Sequence, residues 1–123
     1  MTVTGKPVFK TIVKEIGKEA QQFKSINMLI FFGEQAPNAL RDSCFILADH
    51  NLASKIKEGM TLKIGAIDYQ ITAVGNEVNA NLQNLGHIAV KFTGEKKAEL
   101  PGSLYVEKKA FPKIEIGTEI EMF

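Results

Sequence analysis

Short apolar runs, broken by glycine and turn residues, constrain this chain more than any other feature. In "HIAVKFTG", Ile88, Val90 and Phe92 alternate with His87, Ala89 and Lys91, the period-two pattern of a strand with one dry face. "MTLKIGAIDYQITAVG" repeats the pattern twice. Leu62 and Ile64 alternate with Thr61 and Lys63, then Tyr69, Ile71 and Ala73 with Gln70 and Thr72, which predicts a hairpin. "VFKTIVKEIG" (8–17) mixes β-branched residues with spaced lysines, as an edge strand or a strand wet on one side does. "NMLIFFGE" is almost continuously apolar and predicts a central strand buried on both sides; "SCFILA" predicts a second. "SLYVEKK" and "TEIEMF" complete the set, the latter with Ile120 and Met122 inward and Glu119 and Glu121 outward.

Helical patterns are few and short. "KEAQQFKSI" allows one, and "APNALRD" is a loop or a single turn. "NLASKIKEG" carries Leu52 and Ile56 at helical spacing with Gly59 as a terminator. "NEVNANLQNLG" predicts a compact helix with Val78, Leu82 and Leu85 on one stripe and Gly86 closing it. Seven or eight strands with two or three short helices give a mainly β fold, a small closed or nearly closed antiparallel barrel rather than alternating βαβ units. The 123 residues are expected to form one domain, with a chain long enough to bury a core. The segment from Val8 to Ile16, if left at an edge, would be open to pairing with a second copy into a homodimer; otherwise it must be covered.

Composition narrows function mainly by exclusion. Fifteen Lys and Arg against fourteen Asp and Glu leave a net charge of +1, and Lys96-Lys97 and Lys108-Lys109 are short and flanked by glutamates. A phosphate-backbone binder needs a basic stripe, so nucleic acid is not an expected partner. The single cysteine, Cys44, excludes an internal disulfide and a multi-cysteine zinc site, and its apolar setting suits a core residue. No stretch has the length of a signal peptide or a membrane span, which points to a cytoplasmic protein without membrane insertion. There is no P-loop and no GxGxxG. Two histidines without HxxxH spacing give no basis for a metal site.

The histidines themselves remain. His50 lies in "CFILADHNL", just before the expected helix beginning near Asn51 or Leu52, whose free N–H groups would favour an anion. Asp49 is placed to orient its ring, although the same carboxylate would repel phosphate. Asp-His-Asn is also ordinary turn chemistry. His87 opens a strand on the face shared with Ala89 and Lys91, which suits either a site residue or a histidine bonded to a loop carbonyl. Lys91 and Ser54 are the remaining candidates for phosphate contact.

"ITAVGNEVNANLQNLGHIAVKF" (71–92), followed by "AELPGSLYV" and preceded by "MLIFF", "APNALRD" and "CFI" in order, resembles the glucitol/sorbitol-specific IIA component of the bacterial phosphoenolpyruvate-dependent sugar phosphotransferase system. The resemblance runs from about Lys10 to the C-terminus. It implies a phosphocarrier that needs no cofactor. A histidine takes a phosphoryl group from the histidine phosphocarrier protein and passes it to the IIB domain of a sugar permease. The family's acceptor position, as it aligns, falls on Leu47, which cannot be phosphorylated. The resemblance therefore leaves two readings. In one, His50, three residues on, takes the role, with His87 as second choice or supporting partner. In the other, the chain is a non-catalytic regulatory or binding module that keeps the fold.

Overall fold

A computed structural model describes residues 5–123. Eight strands close into a barrel in the order β1-β3-β2-β6-β7-β5-β4-β8. They are β1 (Phe9–Ile16), β2 (Met28–Gly33), β3 (Phe45–Leu47), β4 (Thr61–Ile64), β5 (Ile67–Val74), β6 (Ile88–Phe92), β7 (Ser103–Val106) and β8 (Glu119–Met122). A short 3₁₀ helix spans Ala20–Ile26, and two α-helices follow, α1 (Asn38–Arg41) and α2 (Val78–Leu85). The alternation read from the sequence sorts side chains as expected. Leu62, Ile64, Tyr69, Ile71, Ile88, Val90, Phe92, Ile120 and Met122 all point into the buried interior. Tyr69 packs edge-on to Phe92 at 4.9 Å, and Phe92 meets Phe111 at 5.1 Å.

Three departures from the sequence reading have physical causes. Six of the eight strand pairings are antiparallel, but β2–β3 and β6–β7 are parallel. Each parallel pair is joined by a long connection, 34–44 and 93–102, of the kind a parallel crossover demands. Hydrophobic period says nothing about strand direction. Second, β1 has no free edge: it pairs with β3 on one side and β8 on the other. Closure covers the strand that was read as a possible edge: β8 pairs with Phe9 to Ile12 and β3 with Val13, Glu15 and Ile16. Third, "NLASKIKEG" is not helical. Leu52 bridges to Phe9, and Ile56 drops into the core. Side chains of α2 take up the segment's main-chain groups, as described below.

On the outside of the barrel a second, smaller apolar cluster joins Phe32, Ala36, Cys44 and Ile46, with Ile30 packed against it. Cys44 is buried there, its Sγ 3.2 Å from the Leu40 carbonyl, and burial pushes its thiol up to about 11. It is a packing residue. Nearby, β1 carries a bulge between Val13 and Glu15 that turns two consecutive residues, Lys14 and Glu15, to the exterior. Lys14 reaches Glu34 at 2.9 Å, and Arg41 forms a two-pronged pair with Glu15 at 3.0 Å on each prong. Arg41 also donates to the Glu34 carbonyl at 2.8 Å, so the β2–β3 connection is fastened to β1.

Candidate functional site

The site begins where β2 ends and α2 stops. In the β2–β6 ladder Phe31 faces Ile88. One step further Phe32 stacks on His87, with ring centroids 4.4 Å apart and planes 18° from parallel. One step beyond that, Gly33 and Gly86 nearly touch: a Cβ on Gly86 would stand 2.8 Å from the Gly33 nitrogen. Gly86 is the left-handed cap of α2, at φ 69°. Its N–H donates to the Leu82 carbonyl at 2.9 Å, and the His87 N–H to that of Asn81 at 3.2 Å. A helix end always leaves carbonyls without intrahelical partners. The next one along, Gln83, receives His50: Nδ1 lies 3.0 Å from the Gln83 oxygen.

That contact fixes a tautomer. A carbonyl only accepts, so the proton must be on Nδ1. In the neutral ring Nε2 then keeps its lone pair. The same ring edge rests on glycine, for a Cβ on Gly33 would sit 2.9 Å from His50 Cδ2 and 3.0 Å from Nε2. Any side chain there would occupy the space beside Nε2.

The segment carrying His50 is held residue by residue. Ala48 N–H donates to the Ile12 carbonyl at 3.0 Å, and Asp49 N–H to the Thr11 hydroxyl at 2.8 Å. Leu52 N–H donates to Gln83 Oε1 at 2.7 Å, and Ala53 N–H to the Val8 carbonyl at 2.8 Å. Asn79 then brackets Ile56, accepting its N–H at 2.6 Å and donating to its carbonyl at 3.1 Å. Asn79 and Gln83 are four apart on α2, hence on one helix face. These bonds replace the i to i−4 ladder that the sequence pattern suggested. With no helix after His50, the helix N-terminal anion site expected there is absent.

The candidates from sequence sort as follows. His50 and His87 border the same pair of glycines, with His50 over Gly33 and Gly86 and His87 on the adjoining Phe32. Burial lowers the His87 pKa, favouring a neutral ring. Asp49 stands beside His50 with an exposed side chain, and the partner that orients the ring is the Gln83 carbonyl. Ser54 is exposed further along the same segment. Lys91 is four residues past His87, about 13 Å up the strand at the usual rise, and its ammonium lies 5.9 Å from the Tyr105 ring centroid. It belongs to another part of the barrel. Leu47 points inward from β3 at 0% exposure. A side chain directed that way meets no partner while the barrel is closed. Gln83, Asn79 and Gly33 were not singled out by sequence; nothing in their local pattern distinguishes them from ordinary helix-surface and turn residues.

Two of the larger cavities contain neither histidine. One of about 520 Å³ is lined by Lys24, Phe45, Phe111 and Lys113 among others, and one of about 410 Å³ by Asp68, Gln70, Glu107 and Lys109. Among the described residues no cluster of three or more His, Cys, Asp or Glu is arranged to hold a metal.

Fold and site together define a class: a small closed β-barrel that presents an oriented, partly exposed imidazole where β2 ends and α2 stops. Comparison with known proteins narrows it. The family model for the PTS system glucitol/sorbitol-specific IIA component matches residues 8–121, and the chain belongs to that family. It is 36% identical over 99 residues to the PTS system glucitol/sorbitol-specific EIIA components of Shigella flexneri and of Escherichia coli, covering 80% of this chain and 80% of each relative. The crystal structure of a PTS system IIA component from Enterococcus faecalis superposes with a TM-score of 0.82 at 35% identity, over 90% of this chain and 96% of that one.

Proposed function

We propose that this chain is a phosphocarrier of the sugar phosphotransferase system. It accepts a phosphoryl group from the histidine phosphocarrier protein on His50 Nε2 and passes it to the IIB domain of a glucitol/sorbitol-type permease, in the cytoplasm. Family membership supports the partners. The observation that carries the choice of atom is the 3.0 Å contact from Nδ1 to the Gln83 carbonyl, which leaves Nε2 as the nucleophile. The Nε2 lone pair forms the new N–P bond as the donor's P–N bond breaks, and the departing pair returns to the donor imidazole. The acceptor ring keeps its Nδ1 proton throughout, so no proton has to be moved. Such transfers depend chiefly on positioning. His87, neutral and stacked on Phe32, lines the approach as a supporting group. Among the described residues no helix is long and apolar enough to cross a membrane.

The test is direct. The purified protein is incubated with phosphoenolpyruvate and the two general phosphotransferase proteins, and intact mass is followed for an acid-labile, base-stable phosphate. The expected result is one phosphate that disappears in His50→Ala and survives in His87→Ala. Absence of label in the native protein would favour the second reading, a non-catalytic module that keeps the IIA fold. Leucine at the position aligned with the family's acceptor motivates that alternative.

A further inference from the structure

Gln83 touches the segment at both His50 and Leu52. The Gln83 main-chain carbonyl holds the imidazole Nδ1–H, and its side-chain Oε1 takes the Leu52 N–H at 2.7 Å, two residues further along. The helix cap explains why Gln83 has this position. Gly86 and His87 use up the carbonyls of Leu82 and Asn81, leaving that of Gln83 turned toward the 50–52 segment. We infer that Gln83 is the positioning residue of His50: its carboxamide clamps the segment at Leu52 so that the ring stays in register with the carbonyl, fixing both the tautomer and the nitrogen that reacts. This rests on the phosphocarrier reading for its consequence, but the tautomer can be tested independently of it. Gln83 touches no phosphoryl group and acts only through His50.

Asn79 supplies an internal control. It binds the same segment at Ile56 through two comparable hydrogen bonds, but not at the His50 end. If Gln83 served merely to tie the segment down, the two substitutions would have the same consequences.

Imidazole ¹H–¹⁵N correlation spectra of the full chain, recorded above the histidine titration, report the tautomer directly. The native protein is expected to show His50 protonated at Nδ1. Gln83→Ala should mix the two tautomers, and Gln83→Glu, which retains a side-chain acceptor for Leu52, should restore the native pattern. Asn79→Ala should lower thermal stability and leave the His50 spectrum native. Phosphoryl labelling should slow roughly tenfold to a hundredfold in Gln83→Ala, the range expected when a reacting group is misplaced by about 1 Å, with some phosphate appearing on Nδ1. A pure Nδ1–H tautomer and a native labelling rate in Gln83→Ala would overturn the inference, as would an equal tautomer shift in Asn79→Ala. If the native protein takes no phosphate, the phosphocarrier reading fails and the tautomer spectra alone decide the role of Gln83.

Discussion

At the scale of single residues, the site depends on two absent side chains. Gly33 and Gly86 lie back to back under the His50 ring, Gly33 letting the imidazole edge settle on main chain and Gly86 turning α2 off with a positive φ. Gly33→Ala would insert a methyl 2.8 Å from the Leu85 carbonyl and 2.9 Å from His50 Cδ2. Neither the strand nor the helix end can yield easily. The expected cost is about 1–3 kcal/mol in denaturant unfolding, as for other overpacked positions. Phosphoryl labelling should fall further than that loss of stability explains, since the methyl stands beside Nε2. Equal label uptake in a folded Gly33→Ala protein would contradict the placement of the reactive nitrogen.

At the scale of elements, α2 serves as a rack for a strand-like segment that has no sheet of its own. Val78 and Leu82 seat the helix in the core, while Leu85, expected on the same stripe, is 46% exposed. The helix ends at Leu85, and Gly86 turns the chain away before that side chain can be covered. The outer face offers Asn79 and Gln83 to main-chain groups at Ile56 and Leu52. Asn79→Ala strips Ile56 of its side-chain partners. The expected loss is about 1–3 kcal/mol, the penalty of an unsatisfied main-chain group, measurable by urea unfolding. Faster amide exchange should be confined to the segment around Ile56. Sequence could not reveal this rack. Leu52 and Ile56 have helical spacing, and local periodicity is blind to amides arriving from residues more than twenty positions away.

At the scale of the whole molecule, closure sets the shape, while burial and ion pairing of particular groups set the pH response. Among the described residues every strand has two neighbours in the closed barrel. Half-buried His87, stacked on Phe32 at the end of the β2–β6 ladder, has its pKa lowered by burial. The unfolded chain therefore takes up a proton near the ordinary value of 6.5 before the folded chain does. Stability from this group is intact above that pH and declines as pH falls through the folded pKa. Urea midpoints measured between pH 8 and pH 5 should fall toward acid, and His87→Phe, which preserves a stacked ring, should flatten that part of the profile. A separate loss belongs to lower pH. The hydrogen bond from Arg41 holds the Glu15 carboxyl below its ordinary 4.5, so that pair weakens only as Glu15 is protonated.

Sequence alone determined which side chains face the core and where most strands run, because period-two alternation is a local consequence of pleating. It placed the α2 helix and its glycine cap because a helical apolar stripe and a left-handed cap residue are equally local signals, and a row of motifs at held spacing pointed to the IIA family. It also singled out His50 and His87. Only the tertiary structure decided that two strand pairs are parallel, that β1 has no edge, and that Leu47 is sealed inside the barrel. The partner of the His50 ring was also beyond the sequence. Asp49 is its neighbour in the chain, but the hydrogen bond goes to Gln83, thirty-three residues away, because a helix cap leaves that carbonyl free and barrel closure brings the segment to it.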